Sequence, residues 1–171
     1  MPKLVTAQRQ GSEQEKAHEY IKTHMLFPAS VLGLICLVSS AATLVYQFIT
    51  ATYEAVALAE TTGLLVAGMI LGWGQTTYHR YLLREHAWYW ASKMRIFERK
   101  GPRKVKADGM VLDHPGRAWV PLAYAVGAGM LGALSLWSYL VGHVANVAAF
   151  LMPWAGFFWA KLFCWRRVLG K

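Results

Sequence analysis

Four long apolar runs, almost free of charged side chains, constrain this chain more than any other feature of its sequence. They cover residues 27–50, 55–78, 118–141 and 145–163. A helix of about twenty residues rises about 30 Å, which matches the hydrocarbon thickness of a bilayer. None of the runs alternates polar with apolar residues as a membrane-barrel strand does. The sequence therefore predicts an all-α integral membrane protein with four transmembrane helices.

The basic residues predict how these helices are oriented. The 18 Lys and Arg residues fall in the N-terminal segment, in the segment between the second and third runs, and from Lys161 to the C-terminus. The short loops at 51–54 and 142–146 contain none. Because basic segments stay on the cytoplasmic side, we expect both termini inside and a multi-pass protein of the bacterial inner membrane.

The resulting organisation is two transmembrane hairpins joined by a cytoplasmic segment. We expect a cytoplasmic N-terminal segment (1–26), hairpin 1 (27–78), a basic connector (79–117), hairpin 2 (118–163) and a basic tail (164–171). The connector alone holds ten of the 18 basic residues. It is therefore the main candidate for contacts outside the membrane.

The first part of the connector has the pattern of an amphipathic helix. Apolar residues recur at spacings of three and four from Leu83 to Phe97, and Gly101-Pro102 ends the pattern. This stretch either continues the second span into the cytoplasm or bends and lies on the membrane. We expect it to dock anionic inner-leaflet lipids or an acidic protein partner, and no nucleic acid. The predicted docking residues are Arg84, Arg95, Arg99, Lys100, Arg103, Lys104, Lys106, Trp88 and Trp90.

Small residues recur every four positions in two of the apolar runs. Gly68 and Gly72 form a GxxxG pair, and Ala125, Gly129 and Ala133 form a longer stripe. Small residues let helix backbones approach each other closely in lipid. The pattern predicts helix packing, either within the chain or against a second copy or a partner subunit.

Glu60 is the carboxylate placed well inside a predicted span. An intramembrane carboxylate is costly, so it is a candidate for binding a cation or carrying a proton. The alternative is a structural role, in which Glu60 reaches the outer interface or bonds a hydroxyl such as that of Ser39, Ser40 or Thr43.

Two histidines are expected at the inner interface. His24 precedes the first span and His79 ends the second, so hairpin 1 brings them to one depth. They are a weak candidate for haem ligation, because bis-histidine pairs usually lie within helices. No spacing typical of a metal cluster, a catalytic triad or a phosphate loop is present, and no cofactor is expected.

These features favour a non-enzymatic integral membrane subunit or scaffold of a larger complex, which docks a partner through the connector. Two alternatives stay open. One is a small oligomeric channel or transporter that uses Glu60. The other is a membrane redox carrier or metalloenzyme that uses the inner-interface histidines.

Overall fold

A computed structural model describes residues 2–50, 55–98 and 119–169, and these residues are helical apart from short turns. The α-helices are α1 (Pro2–Tyr20), α2 (Phe27–Ile49), α3 (Ala55–Glu85), α4 (Ala87–Glu98), α5 (Trp119–Val141) and α6 (Asn146–Leu169). Four helices, which contain α2, α3, α5 and α6, are long and apolar enough to cross a membrane. The predicted all-α class is confirmed, and so is the presence of four helices long and apolar enough to span a membrane.

A π-helical turn, Ile21–Leu26, connects α1 directly to α2. Its position follows from Pro28, which has no N–H and whose ring crowds the carbonyl group four residues earlier in an α-helix. The wider turn accommodates the proline, and the Phe27 N–H donates to the carbonyl oxygen of Lys22, five residues back. The N-terminal segment is therefore helical and extends the first span, with Pro28 inside a long helix and not at its start.

α6 is the central helix of the bundle. It packs most extensively against α3, then against α2, and less against α5. Within the described ranges, α2 and α3 make little direct contact, because α6 lies between them. Consecutive spans are thus held together mainly through the last helix of the chain.

The contact between α3 and α6 depends on glycine. A Cβ atom on Gly68 would collide with the carbonyl group of Pro153, and one on Gly72 with that of Phe157. Gly156 is equally close to the Leu65 carbonyl on α3. The order of these contacts shows that the two helices run in the same direction, with their backbones touching over two turns.

At one end of the bundle, α3 stops at Glu85 and α4 folds against α1. We call this the α4 end, and the opposite end the short-loop end. The chain therefore bends at His86 and does not continue as one straight helix. A buried cluster at the α4 end joins four helices and the π-helical turn. It consists of Ala17, Ile21, Leu82, Leu83, Trp90 and Trp165.

This cluster corrects one expectation. Trp90 was predicted on a docking surface, but it is only 4 % exposed. The reason is that α1 continues α2 at the α4 end, where Ala17 and Ile21, both fully buried, pack in the same cluster as Trp90. The apolar side of α4 is thus occupied by the chain itself.

Candidate functional site

A groove lies between α3, α5 and α6 in the half of the bundle nearer the α4 end. Its volume is about 670 Å³, within the range of about 300–1,000 Å³ that is usual for small-molecule sites. The groove forms because α5 packs against α6 and makes few contacts with α3. Most of its lining is apolar or aromatic, from Ile70 and Leu131 at its deep end to Tyr81 and Trp119 at its outer end.

A partly buried hydrogen bond connects α3 and α5 beside this groove. The Tyr124 hydroxyl lies 2.6 Å from His79 Nε2. His79 is 8 % exposed, and its ring meets the edge of Trp90 at a centroid distance of 5.5 Å. Tyr124 lines the groove, so the pair fixes the position of one groove wall relative to the α4-end cluster.

His24 and His79, the two histidines expected at the inner interface, both lie in a cluster of aromatic side chains around Trp90. His24 stacks on Tyr20 at 5.0 Å, and Tyr20 contacts Trp90, which His79 touches directly. His79 Nε2 is already engaged by Tyr124. No group of three or more His, Cys, Asp or Glu residues suited to a metal occurs in the part of the chain that the structure describes.

Lys161 lies on the same side of α6 as two residues of the groove, and sequence analysis missed it. Trp154 and Phe157 line the groove, and Lys161 follows them by seven and four residues, on the same helix face. Its ammonium nitrogen is 4.6 Å from the centre of the Phe157 ring. Among the described residues, no carboxylate pairs with it. The signal that could have identified it is its helical spacing from Trp154 and Phe157, which is visible in the sequence.

Glu60 lies toward the short-loop end, far from the groove. Its Oε1 is 2.9 Å from His143 Nδ1, and the two side chains are 24 % and 42 % exposed. The hydroxyls of Ser40 and Thr43 bond instead to carbonyl groups of their own helix, at 2.7 and 2.8 Å. Sequence reasoning missed His143, because 83 positions separate it from Glu60.

The docking residues are only partly within the described structure. Arg84 is exposed, with its Nε 3.8 Å from Glu85, and Trp88 is half-buried against His86 and Tyr89. The side chains of Arg95, Arg99, Lys100, Arg103, Lys104 and Lys106 lie outside the described residues.

The two small-residue patterns have different surroundings. Gly68 and Gly72 face α6, as described above. Ala125, Gly129 and Ala133 are exposed, and a Cβ atom on Gly129 would meet nothing within 4 Å. The stripe on α5 therefore forms an open face, turned away from the residues that α5 buries.

The described residues thus present two features that bear on function, the groove and the open face of α5. Comparison of the chain with protein-family models, with curated proteins and with solved structures finds no match.

Proposed function

We propose that the protein is a non-enzymatic integral membrane subunit or scaffold of a larger membrane complex. The open face of α5 is the observation that supports this proposal. α5 buries Leu131, Ser135 and Ser138 on one side, whereas its small-residue stripe is exposed on the other. In lipid, small residues gain packing contacts when another helix approaches them closely. A helix of a partner subunit, or of a second copy, would complete this face.

Crosslinking in native membranes tests the open face. The native cysteines are first removed with Cys36→Ala and Cys164→Ser. A benzophenone maleimide is then attached to Gly129→Cys, from which it points outward from α5. Ala123→Cys is the matched control, because Ala123 lines the groove on the same helix. We expect a larger adduct from Gly129→Cys and none from Ala123→Cys. Lone monomers from both variants, together with a lone monomer in mild detergent, would contradict the proposal.

The basic connector is proposed as a second contact of this subunit. Because α1 covers the apolar side of α4, we expect docking there to be electrostatic, through exposed basic side chains such as Arg84. Each basic residue near an anionic membrane surface contributes about 1 kcal/mol. The partner is accordingly the anionic leaflet or an acidic protein surface.

We also propose the N-in/C-in orientation, in a bacterial inner membrane. The described Lys and Arg residues lie at or near the α4 end, and the described part of the short-loop end has none. A reporter fused after Lys104 is expected to be cytoplasmic, and a tag inserted at Gly142 to be accessible from outside. The reverse pattern in intact cells would exclude this orientation.

The two alternatives have less support from the geometry. Glu60, on which a channel or transporter would depend, is hydrogen-bonded to His143 near the short-loop end. His79, on which a redox carrier would depend, is hydrogen-bonded through its Nε2 to the Tyr124 hydroxyl. Both side chains thus have a structural partner within the chain.

A further inference from the structure

The groove between α3, α5 and α6 changes character along its length. Its deep part is formed by aliphatic and small side chains such as Ile70, Gly74 and Ala128. Its outer part, toward the α4 end, carries Tyr78, Tyr81 and Trp119. Tyrosine and tryptophan are the residues that favour the head-group level of a bilayer. The groove therefore repeats the polarity gradient of one lipid leaflet.

The groove is open on the side between α3 and α5, which touch each other only lightly. In a membrane this side faces lipid chains. An apolar void of about 670 Å³ would forfeit the dispersion contacts of all the side chains that line it. A hydrocarbon chain entering from the side restores those contacts.

Two lysines lie toward the α4 end of the bundle, and one of them lies over the ring of a groove residue. Lys161 projects over Phe157, a groove residue, at 4.6 Å. Lys93 lies 4.6 Å from the Tyr89 ring and 5.4 Å from the Trp90 ring. Within the described ranges neither ammonium has a carboxylate partner. A partly buried cation without a counter-charge is costly, so an anion at this position would be stabilising.

From these observations together, we propose that the groove is a binding site for an anionic phospholipid. One acyl chain lies between α3, α5 and α6, and the phosphate lies near Lys161 at the α4 end. The apolar lining binds the chain, and the lysine selects an anionic over a zwitterionic lipid. The site is separate from the open face of α5, so it does not depend on a partner protein at that face.

Photolabelling of the purified full chain tests this site. The probes are phosphatidylglycerol and phosphatidylcholine that carry a diazirine on one acyl chain. We expect label on the groove segments of α5 and α6, with phosphatidylglycerol labelling several-fold more than phosphatidylcholine. Lys161→Gln should abolish this preference. Lys22→Gln, which changes an exposed lysine of the π-helical turn, should retain it.

Filling the groove provides a second, independent measurement. A Cβ atom on Gly74 or Gly127 meets nothing within 4 Å, and both residues line the groove. Gly74→Leu and Gly127→Leu should therefore fold and lose most of the label. Gly63→Leu is the matched control, because Gly63 is also open, lies on α3 and does not line the groove.

Three results would overturn the proposal. Equal labelling of Gly74→Leu, Gly127→Leu and Gly63→Leu would show that the chain does not enter the groove. Equal labelling by the two lipids in the unmodified protein would remove the anionic selectivity. Loss of the preference on addition of inorganic phosphate would assign the lysine to a free anion. If a leucine variant is not monodisperse, the comparison of Lys161→Gln with Lys22→Gln still decides the role of the lysine.

Discussion

At the scale of single residues, Gly68 and Gly72 decide how closely α3 can approach α6. Each faces a backbone carbonyl group of α6, so any side chain there must push the helices apart. Gly63, five residues before Gly68 on α3, faces open space. A side chain is therefore tolerated at position 63 but not at position 68, although both residues are glycines on the same helix.

We expect Gly68→Ala to lower the free energy of unfolding by about 1–3 kcal/mol, as overpacking of a close contact does. Gly63→Ala is the control and should be neutral or slightly stabilising, because alanine favours a helix over glycine by about 0.5–1 kcal/mol. Thermal unfolding in detergent, followed by size-exclusion chromatography, measures both. Equal stability of the two variants would contradict the packing at Gly68.

Glu60 and His143 form the other contact that depends on individual residues. Their hydrogen bond ties α3 to the short loop before α6, at a partly exposed position. Polar contacts between membrane helices are individually modest, with measured values averaging about 0.6 and reaching about 1.7 kcal/mol.

A double-mutant cycle with Glu60→Gln and His143→Ala should therefore give a coupling energy of about 0.6–1.7 kcal/mol. Unfolding of the two single variants, the double variant and the unmodified protein in the same detergent supplies the four values. Strictly additive effects would mean that the two side chains do not stabilise each other.

At the scale of elements, the α4 end is built by helices that extend past the apolar runs of the sequence. The π-helical turn before Pro28 keeps α1 continuous with α2, and the bend at His86 returns α4 against it. Trp90 fills the space between them and contacts Tyr20 and His79. The amphipathic pattern of α4 was visible in the sequence, but its partner is a helix of the same chain.

Trp90→Ala should consequently destabilise the α4 end, by about 3–5 kcal/mol for removal of a buried large side chain. Trp73→Ala is the control, because Trp73 is 59 % exposed on the surface of α3. Limited proteolysis is expected to cut the Trp90→Ala variant near α4 at protease concentrations that leave the control intact. Equal resistance of both variants would place Trp90 outside the core.

At the scale of the whole molecule, helices that follow each other in the chain are not the ones that pack most closely. α6 comes last in the chain and yet contacts α2, α3 and α5. The first two spans thus lack their main packing partner until the last span is in place. α5 remains at the periphery, where it borders the groove on one side and exposes its small-residue stripe on another.

Two fragments, 1–110 and 111–171, should therefore associate when they are produced together. The second fragment supplies α6, on which α2 and α3 of the first fragment pack. Copurification through a tag on one fragment measures the association. A fragment 1–110 that is monodisperse and protease-resistant alone would show that α2 and α3 do not need α6.

The sequence by itself determined the helical class, the four spans and the helix-forming pattern of α4. These are local properties, because span length and apolar periodicity are read within one segment. The identity of Gly68 and Gly72 as packing residues was also a sequence prediction, but their partner on α6 was not. Small residues indicate close approach and do not specify which helix approaches.

Only the tertiary structure decided that α6 is central, that Trp90 is buried, that Glu60 meets His143 and that Lys161 lies over the ring of a groove residue. The physical reason is that a helix in lipid is apolar on all sides, so its sequence has no polar face to mark the side that packs. These contacts join residues that are far apart in the chain. Which ones form depends on how all the helices fit together.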